Sequence, residues 1–354
     1  MKVVDYKLIK EVIVMKKLLV FSLFSATCFL AFGQSLEGII TGVKEVTESC
    51  GVDSGKTLQI GTADESGTLN ISFTGGGYFT NSGKLIVSEN GTLSISNTEK
   101  PYSPVGKLGN ADIYGTIEIS GGSFWSGTLI NVYGNASLSG SFSMGYGSIM
   151  NVNTSTADFT GVEFRVDQGK STTSQLNLNA ENAISTMGNI KLIYWNDAGS
   201  NLKITVDDYV NAIPKLRFNK DSYLNIDMLG DKQLSLKQIC FDGDGKDTDY
   251  DPTQAIATIE FNNFDNDKVL IEDITGVSIE NNQLKVYKDY SGSVYSYIEI
   301  IARDGEGNLI EGNWTLVEGE GGYWLNNSAI PEPAACAALL GLLSLAFAAR
   351  RRRK

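Results

Sequence analysis

The sequence predicts an all-β chain, a parallel β-helix closed by a β-rich C-terminal cap, and three observations lead there. One phrase recurs between Gly55 and Val152, a glycine and then a short alternating strand: Gly67-Thr-Leu-Asn-Ile-Ser, Gly83-Lys-Leu-Ile-Val-Ser, Gly91-Thr-Leu-Ser-Ile-Ser, Gly115-Thr-Ile-Glu-Ile-Ser and Gly127-Thr-Leu-Ile-Asn-Val. From Ser171 the glycine beat fades while the alternation persists, as in Leu202-Lys-Ile-Thr-Val and Tyr223-Leu-Asn-Ile-Asp. Apolar and polar residues at period 2 are the mark of a half-buried strand. The composition, rich in Gly, Ser, Thr and Asn with only 6 Pro, has neither the charge density of a disordered chain nor long amphipathic helical patterns. At 354 residues the length leaves the domain count open, because all-β solenoids often exceed 200 residues as one unit.

Taken in order, residues 1–14 mix Lys, Asp and Glu with apolar residues and read as an extension from an upstream start codon, a genuine extended n-region being the alternative. Residues 15–33 read as a signal peptide. Lys16 and Lys17 form its positive start, Leu18 to Phe32 its apolar stretch, and Ala31-Phe32-Gly33 places small residues where a signal peptidase reads. Cleavage is expected between Gly33 and Gln34.

Residues 34–254 read as the β-helix body. Alternate side chains of each strand would enter a narrow core, and Gly, Asn or Ser would take the φ > 0 corners. Successive phrase glycines are 16, 8, 24 and 12 residues apart, which suits a coil with several faces of which not all carry the phrase. Residues 255–328 hold longer strands, Ala257-Thr-Ile-Glu-Phe and Tyr295-Ser-Tyr-Ile-Glu-Ile-Ile, and read as an antiparallel cap over the open end of the stack. Asn326-Asn327-Ser328 reads as a short linker. A pair of β-sandwiches is the alternative architecture.

Residues 329–354 form a tail. Pro331-Glu332-Pro333 is followed by an uncharged apolar run, residues 334–349, and then by Arg350, Arg351, Arg352, Arg353 and Lys354. At about 1.5 Å per residue that run is short for a hydrocarbon core of about 30 Å, but flanking arginines snorkel and a bilayer thins. The basic end belongs in the cytoplasm by the positive-inside rule, leaving the body outside. These residues resemble the PEP-CTERM sorting signal of Gram-negative bacteria. The resemblance covers about the last two dozen residues. It implies that an exosortase, a membrane protease-transpeptidase, recognises Pro331, Glu332 and Pro333, cleaves nearby, and passes the protein to the envelope or exopolysaccharide. A plain C-terminal anchor is the other reading, and neither describes the body.

Between residues 34 and 333 there are 19 basic and 39 acidic side chains, a net charge of −20, which repels nucleic acid and anionic lipid. Cys28 falls in the signal and Cys336 in the apolar run, so Cys50 and Cys240 are the cysteines of the exported part. An oxidising compartment would allow them to pair. Their separation in a solenoid favours two separate thiols.

Histidine is absent, which removes Ser-His-Asp hydrolysis, Cys-His proteolysis and His-ligated zinc. Asp242, Asp244, Asp247, Asp249 and Asp251 could offer oxygen ligands to Ca²⁺. Lys246, Asp247 and Thr253 break the EF-hand pattern, so a solvated acidic loop is expected, with a structural Ca²⁺ site as the alternative. Asn263-Phe-Asp265-Asn-Asp267 is a weaker cluster of the same kind. Glu163-Phe-Arg165-Val-Asp167 puts three charges on one strand face, where cross-strand ion pairs are expected and an active site is the sharper alternative. Trp125, Trp195, Trp314 and Trp324 would stack on sugars if aligned and exposed, but scattered aromatics more often fill cores and caps. The sequons at Asn70, Asn90, Asn135, Asn153, Asn313 and Asn326 arise by chance in an Asn-, Ser- and Thr-rich bacterial chain. The expected function is therefore a non-catalytic surface or matrix protein in contact with extracellular polysaccharide and needing no cofactor. A polysaccharide lyase or glycosidase on the same scaffold is the alternative.

Overall fold

Buried and half-exposed residues alternate without a break along Gly67–Phe73, Gly91–Asn97 and Ser222–Met228. The period-2 sequence pattern thus becomes one face in the core and one toward solvent. The computed structural model describes residues 33–75, 77–97, 105–124, 128–145, 147–154, 156–167, 173–178, 189–192, 201–206, 210–229, 233–241, 255–288 and 294–329. Among them the chain forms 31 strands and no helix.

These strands make four sheets, here called I (13 strands), II (nine), III (four) and IV (five). Sheets II and III are parallel throughout, and sheet I is parallel from Gly38–Ile40 to Tyr295–Ala302. Near the N-terminus the chain visits III, I and II in turn, as in Cys50–Val52, Thr57–Ile60 and Gly67–Phe73, before returning to III at Phe79–Asn81. Nearer the C-terminus it visits I, IV and II, as in Asn201–Val206, Val210–Ile213 and Leu216–Phe218. The fold is all-β with long parallel sheets, an arrangement consistent with a β-helix. The third strand of a coil precedes sheet I at one end and follows it at the other. The irregular glycine spacing reflects two faces of the coil that carry the phrase, because Gly67, Gly91 and Gly115 lead into sheet II and Gly83 into sheet I.

Inward residues of all four sheets join in one core. Leu58, Leu85, Ala111, Ile130, Met150 and Leu176 stack in register on sheet I and are all buried. Leu69, Leu93, Ile117 and Leu138 do the same on sheet II. Full burial of such a side chain stabilises by roughly 1.5–3 kcal/mol, and each aliphatic contacts its own kind above and below. Phe142 pairs in register with Phe164, and Phe159 packs 5.7 Å from Phe164, thickening the middle of the stack.

Two expectations need correction. The phrase glycines Gly67 and Gly91 do not occupy φ > 0 corners. They are required because a Cβ would stand 2.2 Å from the carbonyl oxygen of Ile40 or Ile60 on the preceding coil. Asn326-Asn327-Ser328 is not a linker, since Asn326 and Asn327 end the strand Gly322–Asn327 and both are buried. Asn327 N–H donates to Asn266 Oδ1 at 2.8 Å, and Asn266 Nδ2 donates to the Asn327 carbonyl at 3.2 Å. The one buried amide of Asn266 satisfies both backbone groups of Asn327 in this way and holds the segment in the fold.

The change from parallel to antiparallel pairing falls later than residue 255. Ala255–Asn262 still pairs in parallel with Ser222–Met228. Antiparallel pairing first involves Val269–Ile271, against Gly322–Asn327, and recurs between Val277–Glu280 and Gln283–Tyr287, between Gln283–Tyr287 and Tyr295–Ala302, and between Trp314–Gly319 and Gly322–Asn327. Trp314, 5% exposed, packs edge-on to Phe264 at 5.2 Å, and Phe264 meets Phe261 at 5.7 Å, so the aromatics close the end of the core.

Candidate functional surface

The outward face of sheet I carries a ladder of side-chain amides. Leu129-Ile-Asn131-Val, Ile149-Met-Asn151-Val and Gln175-Leu-Asn177-Leu each put Asn between two buried residues, so its side chain points out. In-register pairing then aligns Asp112, Asn131, Asn151 and Asn177. Asn131 Nδ2 donates to Asp112 Oδ1 at 2.9 Å, Asn151 to Asn131 at 2.9 Å, and Asn177 to Asn151 at 2.8 Å. Lys84 Nζ closes the end at 2.9 Å from Asp112 Oδ2. Burial pushes the Asp112 carboxyl up, but the bonds from Asn131 and Lys84 outweigh it and hold the group below the usual carboxylate range. At the corner beside the ladder, Tyr114 and Tyr133 stack at 4.8 Å and 15°.

A second polar cluster lies on the same face toward the C-terminus. Tyr223 O–H donates to Glu260 Oε2, and Arg303 Nε donates to Glu260 Oε1 at 2.9 Å. Glu260 is only 8% exposed. Burial first, and then the bond to Glu260, pushes the Tyr223 phenol up to about 12. Lys203 Nζ lies 3.0 Å from Asp227 Oδ2, and Asn263 Nδ2 donates to Asp227 Oδ1 at 2.8 Å. With both oxygens of Glu260 bonded, the cluster clamps neighbouring strands. The amide ladder is the more open chemistry, because each Asn uses one N–H in the ladder and keeps a second, together with acceptor capacity, to offer a hydroxyl-rich ligand.

The residues singled out in the sequence distribute as follows. Gln34 opens the strand Gln34–Ser35 and donates its backbone N–H to the Ser49 carbonyl at 3.0 Å, so the expected cleavage point adjoins the first strand. Cys50 and Cys240 are buried on strands of sheets III and II, and no disulfide joins them. Burial pushes the Cys50 thiol up to about 12. Asn263 and Asp267 take positive φ and bond to Asp227 and Asn326, which gives that weaker cluster a turn-forming role. The acidic loop Asp242, Asp244, Asp247, Asp249 and Asp251, the tail Pro331, Glu332, Pro333, Arg350, Arg351, Arg352, Arg353 and Lys354, and Trp125 and Trp195 lie outside the described residues. Among the described residues no group of three His, Cys, Asp or Glu could hold a metal, and no helix is long and apolar enough to cross a membrane.

Sequence reasoning missed the amide ladder. Its signal was present in the three strands that carry Asn as their next-to-last residue, but strand pairing is needed to turn that repetition into contact. No family model, curated protein or solved structure matches the chain.

Proposed function

We propose that this chain is an exported, non-catalytic protein of the bacterial surface or extracellular matrix, a β-helix with a β cap whose polar sheet faces make adhesive contact with polysaccharide. A signal peptide ending at Gly33 would export it, and a PEP-CTERM-like tail with its apolar helix at 334–349 would hand it to an exosortase. The amide ladder Asp112–Asn131–Asn151–Asn177 is the observation that carries the reading for the body. A row of identical outward amides, one per coil, suits repeated weak contact along a polymer better than reaction at one point.

Intact-mass measurement on fractionated cells tests the export reading. The surface fraction should contain chains beginning at Gln34 and lacking the residues after the motif, and alanines at Pro331, Glu332 and Pro333 should leave uncleaved protein in the inner membrane. Surface chains still ending in Lys354 would reduce the tail to a plain anchor. Release of reducing or unsaturated sugar ends by the purified protein would replace the adhesive reading with the enzymatic one.

A further inference from the structure

Three cations stand in one column on the outward face of sheet II. Arg165 on Asp158–Asp167 pairs in register with Lys191 on Asn189–Leu192, and Lys191 with Arg217 on Leu216–Phe218. Their chain neighbours Phe164, Val166, Ile190, Leu192, Leu216 and Phe218 are buried, so the three basic side chains project to the other side. Adjacent strands are about 4.8 Å apart, and like charges directly opposite each other are destabilising. Arg165 thus has a basic neighbour directly across the strand pair, while Glu163 supplies ion pairs along the strand and across it, to Arg165 and Arg217. Among the described residues Glu163 is the carboxylate that both arginines approach, at 3.8 Å from Arg165 Nε and 4.0 Å from Arg217 Nη1. Both distances exceed hydrogen-bond length. The Nε atoms of Arg165 and Arg217 are buried without an acceptor.

We propose that Arg165, Lys191 and Arg217 form a binding site for the carboxylates of an acidic polysaccharide. The Arg165 and Arg217 side chains are 36% and 26% exposed and meet Glu163 beyond hydrogen-bond length, and the planar fork of arginine matches a carboxylate with two parallel bonds. The cations repeat along the stacking axis, so a linear polymer with recurring carboxylates can lie across successive strands and meet each in turn. Duplex DNA, with one charge per about 1.7 Å, is disfavoured by the net −20 of the surrounding body. A polymer of lower charge density is repelled less. The proposal deepens the adhesive reading above and rests on it for its biological setting.

Binding of the full-length chain in mild detergent to immobilised polygalacturonate tests the site, with carboxyl-reduced polygalacturonate and duplex DNA as comparison surfaces. The expected result is salt-sensitive binding to polygalacturonate and weak binding to the other two. R165Q/R217Q should weaken it at least about tenfold, and Lys56→Gln, exposed and remote, should leave it unchanged. Glu163→Gln removes the competing carboxylate and should tighten binding, a direction that misfolding does not produce. Equal affinity of a folded R165Q/R217Q variant, equal binding to the reduced polymer, or preference for DNA would overturn the proposal. Unexported chains that still bind polygalacturonate through the arginines would sink the adhesive reading and spare the site. Exported chains whose double variant binds normally would do the reverse.

Discussion

Asn151 lies one strand from Asn131 in sheet I, paired with it in register, and donates its side-chain N–H to Asn131 Oδ1 at 2.9 Å. Asn177 repeats the relationship with Asn151 at 2.8 Å. Each middle member is both donor and acceptor, so replacing one affects two links.

Asn151→Ala should therefore destabilise the fold by about 1–2 kcal/mol in urea titration. Asn151→Asp should cost more at pH 7, because its carboxylate has no N–H for Asn131. Protonation supplies a donor, which raises the folded-state pKa above the unfolded value. The variant's stability relative to wild type should then fall as pH rises, and a defect as large at pH 4 as at pH 7 would refute the ladder as a set of directed bonds.

Acid should weaken the wild-type fold through identified carboxylates. Asp112 is held low by Asn131 and Lys84 against its burial. Asp304 is held low by the side chain and backbone of Asn308, and Asp273 by Thr275. A depressed carboxyl contributes stability above its unfolded pKa, near 3.9 for Asp, and loses it as pH falls through the folded value. Melting temperature should drop below about pH 4, and Asp112→Asn should lower it at pH 7 while flattening the acid slope.

Alkali should act through Tyr223. Its phenol is pushed up to about 12 by burial and by Glu260, whereas an unfolded Tyr titrates near 10. The folded chain keeps the proton that the unfolded chain releases, so stability falls as pH rises from about 10 through the folded value. Tyr223→Phe should remove that part of the slope and cost about 1.5–3 kcal/mol at pH 8, the range for a hydrogen bond to a charged group. Denaturant midpoints at the two pH values would show it.

Two glycines should respond differently to one methyl group. A Cβ at Gly91 would meet the Ile60 carbonyl oxygen at 2.2 Å, whereas Gly134, at φ 55, has nothing within 4 Å. Gly134→Ala should cost about 1–2 kcal/mol of left-handed strain. Gly91→Ala must push two coils apart and should cost more, and equal melting temperatures would show that coil contact does not select glycine there.

Much of the body was legible because it is local. The alternation in Gly67-Thr-Leu-Asn-Ile-Ser told which side chains enter the core, and Leu69 and Ile71 are indeed buried. The phrase glycines were legible as landmarks but not in their reason, because the carbonyl that excludes a Cβ at Gly91 belongs to Ile60, on another coil. Asn327 failed as a linker for the same reason, since its bonding partner Asn266 is distant in sequence.

What the sequence by itself determined is the inward or outward sense of each strand residue, a consequence of backbone geometry that needs no partner. What only the tertiary structure decided is register. Partners recur at unequal intervals, Ile130 with Met150 but Leu176 with Ile204, because the connecting loops differ in length. Pairing is a contact between distant segments, selected by packing of the whole core, and a slip of one residue would reverse every side chain. The amide ladder of Asn131, Asn151 and Asn177 and the cation column of Arg165, Lys191 and Arg217 both exist because that register brings like residues to the same height on successive coils.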